Sequence, residues 1–137
     1  DMLPKIYELS KELGIEKNLF IMGRKFSREE ANKYYSMADI FVMPSVSEPF
    51  GIVPLEAVAK GTAVVVSKQS GISEVLDHSF KVDFWDVDEM AHKILALLKY
   101  DNLHNEIRHN AYNDFDKFSW EKPTKKIVDL YHQLTNK

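Results

Sequence analysis

The chain contains no cysteine. Disulfides and thiolate metal sites are therefore excluded, and a cytoplasmic setting is permitted without being required. No apolar run approaches the roughly 20 residues that a membrane-spanning helix needs. The opening, Asp1-Met2-Leu3-Pro4-Lys5, lacks the pattern of a secretory signal. Neither sign of charge dominates: 18 Lys and Arg stand against 21 Asp and Glu, a net charge of −3. That balance gives no electrostatic case for nucleic acid, although backbone N–H groups can still hold an anion locally. The histidines (His78, His92, His104, His109 and His132) have no metal-ligand spacing and no Ser or Cys nucleophile arranged with them, and are expected on the surface. There is no internal repeat, low-complexity tract or linker. What remains is a 137-residue chain, 45% hydrophobic and 28% charged, of the size and composition of one globular domain with a real core.

Hydrophobic periodicity alternates between two patterns. Leu3, Ile6, Leu9 and Leu13 recur at helical spacing, with Gly14 placed to end the helix. Asn18–Gly23 is a short apolar run that reads as a buried strand. Ser27-Arg28-Glu29-Glu30 matches a capping box, followed by a helix face of Ala31, Tyr34, Tyr35 and Ala38. Asp39–Pro44 predicts a second strand, Pro54–Lys60 a helix closed by Gly61, and Ala63–Ser67 a third strand. That third strand is continuously apolar, as one covered on both faces should be. Gly71–Leu76 reads as a short helix and Phe80–Phe84 as a weaker fourth strand. Beyond it come helices only. One carries a stripe of Val87, Met90, Ala91, Ile94, Leu95 and Leu98, and another has Leu103, Ile107 and Ala111. The last has Ser119 as N-cap, Pro123 in its first turn, and Ile127, Leu130, Tyr131 and Leu134. Trp85 and Trp120 are expected in the core or at an interdomain contact. Strands alternating with helices imply an α/β, Rossmann-like parallel sheet flanked by helices, with right-handed crossovers and a helical C-terminal tail.

The chemistry concentrates in Ser45–Gly61, where Glu48 and Glu56 have Pro49, Gly51 and Pro54 between them. One helix cannot hold both glutamates, because Pro49 and the residues before each proline are steered out of helical geometry. Strand, loop, helix is the consistent shape. Glu48 then lies on a loop beyond a strand's carboxyl end, where open α/β sheets bind ligands. Glu56 lies in the opening turn of the next helix, held by the positive end of the helix dipole. An ionised carboxylate accepts hydrogen bonds only, and suits two vicinal hydroxyls such as those of a ribose. The N–H groups of Gly51, Ile52 and Val53 would face outward at the helix start, where a pyrophosphate can bind. Gly51, lacking a side chain, would let a ligand approach the backbone closely. Each residue has a plainer reading. Glu56 could be a solvent-facing carboxylate, Glu48 a loop charge, Gly51 a turn residue, Gly71 a helix-start glycine and Glu74 a capping group. Arg24 with Lys25 could be a solvated pair.

The succession Ser47-Glu48-Pro49-Phe50-Gly51-Ile52-Val53-Pro54-Leu55-Glu56-Ala57-Val58-Ala59, then Gly61-Thr62-Ala63-Val64-Val65-Val66-Ser67, then Ser70-Gly71-Ile72-Ser73-Glu74, resembles the retaining GT-B glycosyltransferases. The family meant is the large one that includes glycogen synthase- and sucrose synthase-like enzymes (glycosyltransferase family 4, glycosyl transferases group 1). Its mark is two glutamates separated by seven residues. The likeness also takes in Gly23, the Tyr35…Ala38-Asp39 step, Pro44-Ser45, Phe118-Ser119-Trp120-Glu121 and Tyr131. Two glutamates at that spacing would by themselves say little; the surrounding order makes the match specific.

The resemblance implies the donor-binding half of a GT-B fold spanning residues 1–137. A sugar would pass from a nucleoside diphosphate to an acceptor hydroxyl, with retention of anomeric configuration. Glu48 is implied at the donor sugar, as the catalytic candidate, and Glu56 at the ribose. Gly23 and Arg24 would lie beside the nucleobase. Gly51, Ile52 and Val53 would lie along the diphosphate, Phe50 is a further donor-binding candidate, and Ser70 and Gly71 would line the same cleft. No metal or other cofactor is implied, since helix N-termini can stabilise a departing diphosphate. Partners would be the nucleotide sugar, an acceptor glycan, lipid or small molecule, and the N-terminal domain of the same enzyme; nucleic acid is not implied. The setting would be cytoplasmic, with attachment at the membrane periphery open for the full-length enzyme.

There are departures. Ser70-Gly71 stands where paired glycines are usual, and Asp77–Phe84 is shorter than the usual hairpin. The strand and basic loop expected before residue 1, and the whole N-terminal domain, are expected to belong to a longer parent chain. The isolated chain is accordingly expected to turn over little or no substrate. A non-catalytic nucleotide- or nucleotide-sugar-binding regulatory module is the alternative. A response-regulator-like domain fits poorly, because Asp39 begins its strand and does not end it.

Overall fold

A computed structural model of the chain describes residues 2–135. Its elements are α1 (Leu3–Glu12), α2 (Arg28–Met37), β1 (Ile40–Met43), α3 (Ile52–Val58), β2 (Ala63–Ser67), a 3-10 turn (Gly71–Glu74) and β3 (Phe80–Val82). Helices α4 (Val87–Lys99) and α5 (Asp101–Asp114), a second 3-10 turn (Phe115–Phe118) and α6 (Glu121–Thr135) complete the order.

The three strands form one parallel sheet in the order β1-β2-β3, with Ile40 opposite Ala63 and Val65 opposite Phe80. Every residue of β2 is buried, because alternate side chains enter two different cores. Val64 and Val66 join Leu55, Val58, Ile72 and Leu76 beneath α3 and the end of α5. Ala63 and Val65 join Val82 and Leu97 beneath α4 and the start of α5. This alternation is the two-residue period of a strand, and helices on both faces explain the unbroken apolar run.

Local signals hold where they are self-contained. The capping box forms as read, with Glu30 N–H donating to Ser27 Oγ at 3.2 Å and Ser27 N–H to the Glu30 carboxylate at 3.0 Å. Asp86 caps α4 by accepting from Glu89 N–H. Gly14 and Gly61 close α1 and α3 with positive φ.

Several expectations fail. Asn18–Gly23 is not a strand: it has no regular structure, and Phe20 is 83% exposed. An apolar run becomes a strand only when a neighbour takes its hydrogen bonds, and among the described residues none lies alongside. Helix α3 starts at Ile52, two residues before Pro54, so Gly51 is the N-cap residue and Glu56 lies just past the first turn. The predicted short helix at Gly71–Leu76 is a 3-10 turn, and the fourth strand ends at Val82. Ser119 is not the N-cap of α6, since Trp120 precedes the first helical residue and its carbonyl accepts from Thr124 N–H at 3.0 Å. Trp85 and Trp120 are exposed, which rules out the core and leaves the interdomain contact also expected for them. In α4 the fully buried residue is Leu97, while Val87, Leu95 and Leu98 face outward. Of the histidines, His78 and His104 are half-buried and hydrogen-bonded, to Asp114 and to the Asp39 carbonyl.

Candidate functional site

The loops that leave β1 and β2 lie side by side at the carboxyl edge of the sheet. Three serines fold them locally. Ser67 Oγ donates to the Ser45 carbonyl at 2.6 Å, Ser70 Oγ to the Ser67 carbonyl at 2.6 Å, and Ser73 Oγ to the Lys68 carbonyl at 2.9 Å. The two loops are then joined through their backbones. Gly71 N–H donates to the Glu48 carbonyl at 2.9 Å, and Ile72 N–H to the Phe50 carbonyl at 2.7 Å. Glu48 and Ser70 form a parallel bridge.

This seam dictates two glycines. A Cβ on Gly71 would collide with the Pro49 carbonyl oxygen and sit 3.2 Å from Phe50 Cα. Gly51 has φ +90°, and a Cβ there would lie 3.0 Å from Met43 Cε and 3.2 Å from Glu48 Cγ. Gly51 is buried, so its missing side chain admits neighbouring protein atoms. The N–H groups of Gly71 and Ile72 are likewise used within the protein.

Glu56 projects from α3 on another side. It is half-buried and accepts from the Tyr35 hydroxyl at 3.4 Å. Burial, and next the Glu56 charge, push the Tyr35 phenol above its ordinary pKa. The Tyr35 ring meets Phe41 edge-on at 5.8 Å, and buried Thr62 donates from Oγ1 to the Tyr35 carbonyl at 2.6 Å. Glu56 lines an open groove of about 570 Å³ together with Phe50 and Ile52. Arg28 and Asn32 of α2, Lys60, Lys117 and Ser119 supply its other polar groups, and Phe118 and Trp120 supply an aromatic wall.

The sequence-derived residues therefore fall into three groups. Glu48, Phe50, Gly51, Ser70 and Gly71 meet at the seam. Ile52 and Glu56, again with Phe50, face the groove, and Val53 is exposed on the opening turn of α3. Gly23 and Arg24 belong to the stretch between α1 and α2. There the Arg24 guanidinium pairs with both Glu30 oxygens, at 2.7 and 3.1 Å, and lies over the Phe26 ring. That pairing, with the Ser27 N–H bond, holds the Glu30 carboxyl down at about 2. The Tyr35–Glu56 contact was missed from sequence, because no spacing rule links residues 21 apart. Among the described residues no group of three or more His, Asp or Glu could hold a metal ion, and no helix is long and apolar enough to cross a membrane.

Residues 2–114 match the family model described as "Glycosyl transferases group 1". The chain belongs to this family. An uncharacterised glycosyltransferase of Methanocaldococcus jannaschii is 35% identical over 136 residues, covering 96% of this chain and 34% of that protein. A D-inositol 3-phosphate glycosyltransferase of Corynebacterium urealyticum is 34% identical, covering 93% of this chain and 30% of that protein. Among solved structures, the sucrose-phosphate synthase of Thermosynechococcus elongatus superposes with a TM-score of 0.82 at 28% identity, over 96% of this chain and 34% of that one. An Anabaena protein crystallised with UDP has a TM-score of 0.84 at 20% identity, which speaks to the fold alone. The group 1 fold here is thus the Rossmann-like half of GT-B, and the chain spans about a third of the length of these relatives.

Proposed function

We propose that this chain is the nucleotide-sugar-binding domain of a hexosyltransferase that passes a sugar to an acceptor hydroxyl with retention of configuration. The observation that carries the reading is the seam at the carboxyl edge of the sheet, which holds Glu48 beside Gly51 at the start of the helix that bears Glu56. Family membership supports the reaction class. The Anabaena protein of the same fold was crystallised with UDP, and again with UDP and glucose, which supports a nucleoside diphosphate as the ligand.

In this reading Glu56 accepts hydrogen bonds from the ribose and Glu48 faces the transferred sugar. The bond from the anomeric carbon to the diphosphate oxygen breaks, its electron pair leaving with the diphosphate. The acceptor oxygen bonds to that carbon on the same face, and its proton passes to the leaving phosphate oxygen. A carboxylate at Glu48 favours the positive charge that develops on the sugar ring. No metal enters this scheme. The acceptor is bound by the rest of a longer protein, in keeping with relatives about three times the length of this chain. The domain alone therefore binds the donor and transfers little or nothing.

The test uses the full-length protein with UDP-, GDP- and ADP-glucose, scoring the anomeric proton coupling of the product by NMR. Expected are a retained anomer and a Glu48→Gln variant that loses at least 100-fold in kcat while binding the donor within threefold. Unchanged transfer by Glu48→Gln would favour a regulatory module that uses the site without catalysis.

A further inference from the structure

We propose that Tyr35 is a positioning residue for Glu56, fixing its carboxylate so that the site prefers a ligand with an intact ribose cis-diol. The inference rests on the reading of Glu56 as the ribose contact. Its own basis is the way Tyr35 is held. The ring is half-buried and braced edge-on by Phe41 of β1. The backbone at Tyr35 is pinned by Thr62 Oγ1 at 2.6 Å, and Thr62 is itself buried at the entry to β2. From that fixed platform the phenol O–H reaches Glu56 Oε2 at 3.4 Å. Tyr35 is thus tied to β1, to the start of β2 and to α3 at once.

A carboxylate on a helix surface can rotate about its last torsion, and one that must accept from two adjacent hydroxyls benefits from a set plane. A glutamate offers about four lone-pair sites. The phenol takes one on Oε2 and leaves the other three for a ligand in the groove that Glu56 lines. Tyr35 does not itself line the groove, so its effect should appear only where Glu56 has hydroxyls to bind.

The full-length protein is titrated calorimetrically with UDP, GDP and ADP, and then with the 2′,3′-dideoxy counterpart of whichever binds tightest. Glu56→Gln is expected to collapse the preference for the ribonucleotide. Tyr35→Phe keeps the ring packing and is expected to lower that preference about three- to tenfold, leaving the dideoxy affinity unchanged. The double variant should be no worse than Glu56→Gln alone. If Glu56→Gln collapses the preference and Tyr35→Phe does not, Tyr35 has no positioning role, while the ribose reading stands. If Tyr35→Phe weakens both ligands equally, the residue is merely structural and the proposal fails. A preference untouched by Glu56→Gln overturns the ribose reading and this proposal with it. Should Tyr35→Phe fold poorly, wild-type protein carrying 13Cζ-tyrosine gives the same decision. The Tyr35 signal should shift on adding the ribonucleotide and stay in place with the dideoxy form; equal shifts with both contradict the proposal.

Discussion

Replacing Gly71 by alanine is a sharp test of the seam. In a position with room and ordinary backbone geometry, Gly→Ala stabilises a protein by about 0.4–1 kcal/mol, by narrowing the unfolded ensemble. Gly71 has no left-handed φ to forbid alanine. The obstacle is the Pro49 carbonyl oxygen, which a Cβ would strike, with Phe50 Cα a further 3.2 Å contact. Both are backbone, so relief requires the two loops to part. That movement strains the Gly71–Glu48 and Ile72–Phe50 hydrogen bonds, of 2.9 and 2.7 Å, and disturbs fully buried Ile72. At about 1 kcal/mol for each hydrogen bond, plus some loss of packing, the cost is about 2–3 kcal/mol. For a chain of this length that is a fall of roughly 7–10 °C in Tm. Thermal unfolding supplies the number, and amide exchange at residues 71 and 72 supplies the location. A Tm equal to or above that of wild type, with both amides still protected, would refute the close-packed seam.

Other expectations follow from different parts of the molecule. Leu97 is 1% exposed against Val65 and Val82, so Leu97→Ala should cost about 2–4 kcal/mol by chemical denaturation; under 1 kcal/mol would mean that α4 is not seated on the sheet. Glu30 has a folded pKa of about 2, below its ordinary 4.5. Its contribution is therefore present above about pH 4.5 and is lost as pH falls toward 2. The Tm gap between wild type and Glu30→Gln should accordingly narrow over that window. Added salt should narrow the gap too, since the Arg24–Glu30 pair is exposed; a gap independent of pH would remove the ion pair from the account.

What the sequence disclosed depended on whether the signal was local. Ala63–Ser67 was legible to the residue, because continuous apolarity reflects burial on two faces. The Ser27–Glu30 capping box was legible because both partners lie within one turn. Asn18–Gly23 looked like a strand because apolarity reports a wish for burial, whereas a strand also needs a neighbour, and composition does not say who that is. At the site, Glu48 and Glu56 stood out by their spacing and their setting among prolines and glycines. The reason for Gly71 did not, since it lies in the Pro49 carbonyl on another loop. Tyr35 read as one face of a helix; its hydroxyl's partner became visible only once α2 and α3 were packed together. For Trp85 and Trp120 the core half of the expectation failed for the converse reason, since size suggests burial and does not say whether the cover lies in this domain.

In the proposed function Glu56 contacts the nucleotide of a nucleoside diphosphate ligand. Titration of the protein with UDP, GDP and ADP, in wild type and Glu56→Gln, measures that contact. Hydrogen bonds to a charged group contribute about 1.5–3 kcal/mol each. One of the three nucleotides should therefore bind saturably to wild type and about 10- to 100-fold more weakly to Glu56→Gln, with the Tm of the unliganded protein little changed. Equal affinity in the two proteins, or no saturable binding of any of the three, would contradict the account.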